Sequence, residues 1–411
     1  MPSKPRLILI LGLLTAIGPF SIDMYLPAFS DIAQHLNTTV AHVTLSLSSF
    51  FIGISVGQFL YGPLLDRFGR KKPVYIGLAV YFIASMLCVF ATSADQLIAL
   101  RFIQALGGCA GMVASRAMVR DLFAVEENAK IFSLLMLVVA VSPIIAPTLG
   151  GYITAAFGWH YVFAALALLS VIILFGVYKI LPHSREPDPT VSLKPLAILR
   201  GFRDVLVVPQ FFTYAFTGAL ASAGLYAYIA GSPYVFMELF GVSEKGYGWI
   251  FAFVAAGLIT ASQINSRMLK YFTSQQIIRV SLGSQAIIGI FLVAGTYFHI
   301  LGLYGTVFTM FLYLSCQGFT FPNSSALSMA PFTRNAGSAS ALMGTIQMSI
   351  GAASSALVSY LSNHTAIPMT GMMAACVLVA LTVLLIGGRI IRYKAKPEDI
   401  KDETVEMIST S

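Results

Sequence analysis

The chain has 411 residues, of which 57% are hydrophobic and 10% charged, against roughly 25% charged in an ordinary soluble domain. With a mean hydropathy of +0.82, it has too little charge to cover a water-exposed surface, and the same composition excludes disorder, collagen and a disulfide scaffold. The net charge of +8 comes from 25 Lys and Arg against 17 Asp and Glu, and its placement along the chain points to membrane topology, not to nucleic acid.

Uncharged apolar stretches near the 20 residues needed to cross a bilayer predict twelve spans. They fall at 7–27, 43–65, 73–92, 97–117, 131–157 and 161–181, then at 209–229, 246–266, 280–298, 301–321, 336–361 and 367–388. The basic start at Lys4 and Arg6 imitates a signal peptide. No small-x-small cleavage site follows and eleven further spans do, so it reads as an uncleaved first helix. Cys88, Cys109, Cys316 and Cys376 each lie in an apolar run without a Cys-x-x-Cys pair. They read as packing residues, and no metal or cofactor is expected.

With the N-terminus inside, the inner tails and loops, counted with the inner span ends, hold 23 of the 25 Lys and Arg, the outer side holds Lys245, and Arg101 lies within span 4. By the positive-inside rule both termini are cytoplasmic. The segment 182–205, with four prolines among mixed charges, divides the chain into halves at 1–181 and 206–388, leaving a polar cytoplasmic tail at 389–411. The expected fold is an all-α polytopic membrane protein of two six-helix bundles, the arrangement of secondary transporters.

Asp23 in span 1 and Arg101 in span 4 are the charges placed clearly within spans. Each costs at least about 2.5–3.5 kcal/mol there, which makes it a functional candidate. Both lie roughly 6 Å below the expected outer boundary at 1.5 Å per residue. A plain ion pair and a proton-carrying carboxyl beside a cation are the two readings. Gln104 lies one turn from Arg101, followed by Gly107, Gly108 and Gly111, a face narrow enough for a helix backbone or a substrate. In span 5, Pro143, Pro147 and Gly151 form one stripe, either a passive kink or a hinge.

Between spans 2 and 3 the chain reads Gly62-Pro63-Leu64-Leu65-Asp66-Arg67-Phe68-Gly69-Arg70-Lys71-Lys72. This resembles the signature loop of the major facilitator superfamily. Arg101-x-x-Gln104 resembles its span-4 motif in proton-coupled members, and Pro143-x-x-x-Pro147 is similar to the antiporter motif of drug exporters. Ile22-Asp23-Met24-Tyr25-Leu26-Pro27-Ala28, Arg116-Ala117-Met118-Val119-Arg120-Asp121 and Gly231-Ser232-Pro233 resemble the Bcr/CflA branch, the bicyclomycin-resistance-like drug:proton antiporters. Two departures are Ser142 before the first proline, and a degenerate second-half loop at 266–273 that keeps only Arg267 and Lys270.

The resemblance implies two bundles rocking about a cavity lined by spans 1, 4, 7 and 10. It implies proton coupling at Asp23 and Arg101, and substrate contact by Tyr25, Gln104, Tyr226 and Gln317. Gating falls to Gly62, Asp66, Arg67, Gly69, Arg70, Pro143, Pro147, Gly150 and Gly151, with Asp66 latching onto the start of span 11. With one carboxylate in the cavity, a cationic or uncharged amphipathic substrate is expected. Asp31 and Asp95 at the outer surface and Asp121 at the inner end of span 4 are expected to stay hydrated, leaving one proton per cycle. The expected protein is a monomer of the bacterial inner membrane that exports small drugs on the proton gradient. An uptake symporter on the same fold is the alternative. H-E-x-x-H and G-x-x-x-x-G-K-[ST] are absent, so neither metalloprotease nor ATP-driven chemistry is expected.

Overall fold

The structure, a computed structural model, describes residues 3–182, 184, 186–190, 195–332 and 336–409. Among the described residues twelve long helices cross the molecule. The first half holds α1 (Lys4–Asp23), α3 (Val40–Arg67), α4 (Lys71–Val89), α5 (Ala94–Leu122), α6 (Val125–Phe157) and α7 (His160–Ile180). The second holds α9 (Pro209–Pro233), α10 (Glu244–Met268), α11 (Ser274–Tyr297), α12 (Leu303–Met329), α13 (Ala336–Tyr360) and α14 (Ile367–Ser409). The shorter α2 (Phe29–His35) continues span 1, and α8 (Pro195–Leu206) lies between the halves. The twelve expected spans each coincide with a long helix.

Side-chain caps define several starts. Thr39, Ser93 and Ser243 accept from the third residue beyond them in α3, α5 and α10, and Thr273 with Gln276 forms a capping box on α11. Ten of the long helices are long and apolar enough to cross a membrane, while α9 and α12 fall short. Both bury polar residues: Thr213, Thr217 and Ser222 in α9, and Thr309, Gln317, Thr320 and Asn323 in α12. Their outward side chains, such as Phe212 and Phe308, remain apolar.

Two features depart from expectation. Span 1 does not end at Pro27 but turns through 3-10 helix at Leu26–Ala28 and runs on as α2 to His35. The C-terminal tail, whose polar composition predicts disorder, is instead helical: α14 continues to Ser409, and its run of Lys, Glu, Ile and Met has good helix propensity despite Pro397.

Each half packs mainly on itself, and the halves meet where α3 lies along α13 and α6 along α10. The α3–α13 seam is fastened by small polar groups. Ser359 donates to the Ala41 carbonyl, Ser48 to Ser355 at 2.8 Å, and Ser55 lies 2.8 Å from Ser349. Such bonds average only about 0.6 kcal/mol in membranes, so the seam holds closed without being costly to open. Beyond Gln58, toward the end that carries the Asp66–Lys72 loop, a cavity of about 510 Å³ separates α3 and α5 from α8 and α13. The halves are therefore closed at one end and apart at the loop end.

Candidate functional site

Asp23 is the last residue of α1, where the helix breaks inside the protein. The Met24 amide still bonds to the Phe20 carbonyl at 3.0 Å, after which Pro27, with no amide hydrogen, helps turn the chain. Gly150 of α6 packs onto this break, and a methyl there would collide with the Met24 carbonyl oxygen. Asp23 is buried and acts electrostatically on the phenols of Tyr226 and Tyr228 in α9 and Tyr247 in α10. It therefore lies within electrostatic reach of the second half. With α2 beyond it, up to about 18 Å of helical rise separates it from the end of span 1, much more than the expected depth.

Arg101 is fully buried on α5. One Nη donates to the Ser21 carbonyl at 2.7 Å and the other to Gln104 Oε1. Its guanidinium carbon lies 4.2 Å from the Tyr25 ring centre and 4.1 Å from that of Phe50, cation–π contacts worth roughly 2 kcal/mol when desolvated. Among the described residues no ion pair joins it to Asp23. The physical reason is helical phase: the Ser21 hydroxyl lies 2.6 Å from that of Tyr81 in the first half, and the Asp23 side chain, two residues on, points to a different side of the helix. Arg101 holds the side of α1 turned into the first half, and Asp23 points to another.

The four expected substrate contacts are all buried. Tyr25 lies 3.3 Å from the Ser46 hydroxyl, and Gln104 donates to Ser85 at 2.7 Å. Gln317 donates to Ser222 at 2.7 Å. Tyr226 sits on the boundary between halves, its ring 4.7 Å from Phe51 of α3 and pressed on Gly351 of α13. None of the four lines the 510 Å³ cavity. The glycine face of span 4 serves helix packing: a Cβ on Gly107 would lie 2.5 Å from the Tyr81 amide nitrogen.

The stripe in span 5 packs on α10. A Cβ on Gly151 would lie 2.5 Å from the Glu244 carbonyl oxygen, and one on Gly248 would meet Pro147 O at 3.0 Å and Thr148 Cα at 2.9 Å. α6 runs unbroken past Pro143 and Pro147. These residues form the second seam at the closed end.

At the loop end, Gly69 has φ +76°, the left-handed conformation that only glycine adopts readily. It brings Arg70 back over the end of α3. Arg70 donates to Asp66 at 2.8 Å through Nη1 and to Asp121 at 2.8 Å through Nε. Burial pulls the Arg70 guanidinium down, and the two carboxylates more than offset it, so it stands above its ordinary value. Asp121 is a half-buried partner of the signature loop on the cavity wall, and it also accepts from Ser184 at 3.2 Å. Arg67 ends α3, and a Cβ on Gly62 would meet open space on the cavity wall. Asp66 and Gly62 line one wall, while Gly337 and Ser338 at the start of α13 line another. Of the expected latch, 335 falls outside the described residues.

A family model described as Major Facilitator Superfamily matches residues 11–356. A bicyclomycin resistance protein homologue of Haemophilus influenzae is 30% identical, covering 91% of this chain and 94% of its own. The multidrug resistance protein MdtL of Escherichia fergusonii is 30% identical over 90% of this chain and 93% of its own. In structure, the chain resembles a bacterial homologue of the human lysosomal transporter Spinster, at TM-score 0.72 and 14% identity over 94% of this chain and 98% of that one. With these matches and a fold of twelve long helices in two sets of six, the chain belongs to the Major Facilitator Superfamily, in the bicyclomycin-resistance-like branch that its motifs indicated.

Proposed function

We propose that the protein exports small amphipathic compounds, bicyclomycin among them, in exchange for one proton per cycle across the bacterial inner membrane. The observation that carries this reading is the position of Asp23. It stands at the break in span 1, buried, within electrostatic reach of α9 and α10, and beside the Gly150 contact at the closed end. A carboxyl there gains or loses water whenever the halves move, and desolvation favours its neutral form. Arg101 fixes a different side of the same helix without neutralising it.

The basic residues gathered at the loop end support a cytoplasmic position for that end; in this reading the conformation is open inward and both termini are cytoplasmic. A compound enters from the cytoplasm as Asp23 gives up its proton. The halves 1–181 and 206–388, joined by 182–205, then rock: the α6–α10 contact and the α3–α13 serine seam part, and the loop end closes with Asp66 near the start of α13. The helix N-terminus favours a carboxylate by about 0.3–1 kcal/mol at an exposed site. Asp23 takes a new proton from outside, and the cycle returns. The monomer suffices for this, and the proton gradient is its energy source.

Everted membrane vesicles test the reading. With the interior acidified, they should accumulate bicyclomycin, and a pump-deficient bacterium expressing the chain should survive a higher dose. Accumulation only when the gradient is reversed would make the protein an uptake symporter.

A further inference from the structure

Five charged residues line the cavity at the loop end: Arg70, Arg116, Arg120, Asp66 and Asp121. Arg70 is engaged with both carboxylates. Arg116 and Arg120 are exposed and make no ion pair among the described residues. Arg120 stands two residues from the end of α5, where topology alone explains a basic side chain. Arg116 lies a turn further in, roughly 9 Å from the helix end by its rise, and presents its guanidinium to the cavity. The same cavity is lined by apolar Phe59 of α3 and Phe202 of α8, whose rings meet at 5.5 Å, with Gln58 and Ser338 as polar neighbours. At about 510 Å³ the cavity falls in the 300–1,000 Å³ range of drug-sized pockets.

We propose that this cavity is an entry site selecting amphipathic compounds that carry a carboxylate or another strong hydrogen-bond acceptor, and that Arg116 recognises that group. The term entry rests on the export reading; the binding itself does not. Guanidinium offers paired donors in a planar fork suited to carboxylates, while Phe59 and Phe202 cover the apolar body. With three positive and two negative lining residues, the wall repels a permanent cation. A count of carboxylates within the spans favours cationic or uncharged substrates over anions, and the lining reverses that preference at the mouth.

The test uses the full chain in phosphatidylcholine nanodiscs, which hold no anionic headgroup to compete. Ser338→Cys supplies a reporter thiol, with Cys316→Ser removing the one native cysteine that is not buried. Alkylation by N-ethylmaleimide is timed with 2-naphthoate or with 2-naphthyltrimethylammonium present. The acid should give half-protection at a concentration at least tenfold lower than the cation. Arg116→Gln should remove the difference, and Arg116→Lys should keep part of it. Equal protection by both probes, protection by neither, or an acid preference that survives Arg116→Gln overturns the proposal. Alkylation requires no transport, so failure of proton-driven bicyclomycin export would sink the export reading separately.

Discussion

The two halves solve the same packing problem with different chemistry. In the first, the polar interior is built on charge: Arg101 between Tyr25 and Phe50, Asp23 at a helix break, and Arg70 between two carboxylates. In the second, amides and hydroxyls occupy the interior. Asn323 donates to Asn265 at 2.6 Å, Gln317 to Ser222 at 2.7 Å, and Ser281 lies 2.9 Å from Thr320. The loop that mirrors the signature motif keeps Arg267 and Lys270 but forms no ion pair among the described residues. A charge within the bilayer costs several times what a neutral hydrogen bond returns. The comparison therefore teaches that the first half concentrates the buried charges while the second keeps a neutral polar interior, as the proposed exchange of a proton at Asp23 requires.

Substitutions can break or sharpen this contrast. The largest effect belongs to Arg101→Ala, which empties the space between two rings and strands Gln104 and the Ser21 carbonyl. It should destabilise the detergent-solubilised protein by about 3 kcal/mol or more, read as a lowered melting midpoint, and Arg101→Lys should not restore transport. Next comes Gly150→Ala, where the added methyl collides with the Met24 carbonyl oxygen. The closed end should lose its seal, so cysteines placed at the α6–α10 contact become reactive from outside and transport falls at least tenfold. Asp66→Ala removes one carboxylate from Arg70 and the group proposed to meet α13 when the loop end closes. It should raise the reactivity of cysteines introduced along the cytoplasmic cavity severalfold, a shift of about 1 kcal/mol toward the inward-open state. The smallest is Asn323→Ala in the second half, costing about 1 kcal/mol of thermal stability and leaving the dependence on proton gradient as it was. An equal loss of coupling from Asn323→Ala would erase the contrast between the halves.

The span count was legible because apolar runs and basic loops contrast strongly along this chain. The signature loop was legible too, down to Gly69, whose positive φ explains why glycine stands there. The break in span 1 was not: residues 24–28 are apolar apart from the tyrosine hydroxyl, so Pro27 looked like the end of a span and not a bend within one. Helical phase hid the fate of Asp23, since similar depth in two spans says nothing of which way each side chain points. The partners of Arg101 are two rings and a backbone carbonyl, which no spacing rule records. Asp121 was missed although a signal existed: a loop arginine drawn inward requires a carboxylate, and Asp121 follows Arg120 at the end of span 4. The reduced hydropathy of α9 and α12 is a further trace, since it marks the spans that bury rows of hydroxyls and amides.

Proton movement in proteoliposomes tests most directly the claim that Asp23 couples protons to substrate. With a bicyclomycin gradient imposed and no other driving force, the wild-type chain should move protons opposite to the drug, reported by a trapped pH indicator. Asp23→Asn should move none while still exchanging labelled bicyclomycin across the bilayer, because a fixed neutral side chain permits rocking without carrying a proton. Proton flux in Asp23→Asn equal to that of the wild type would contradict the account.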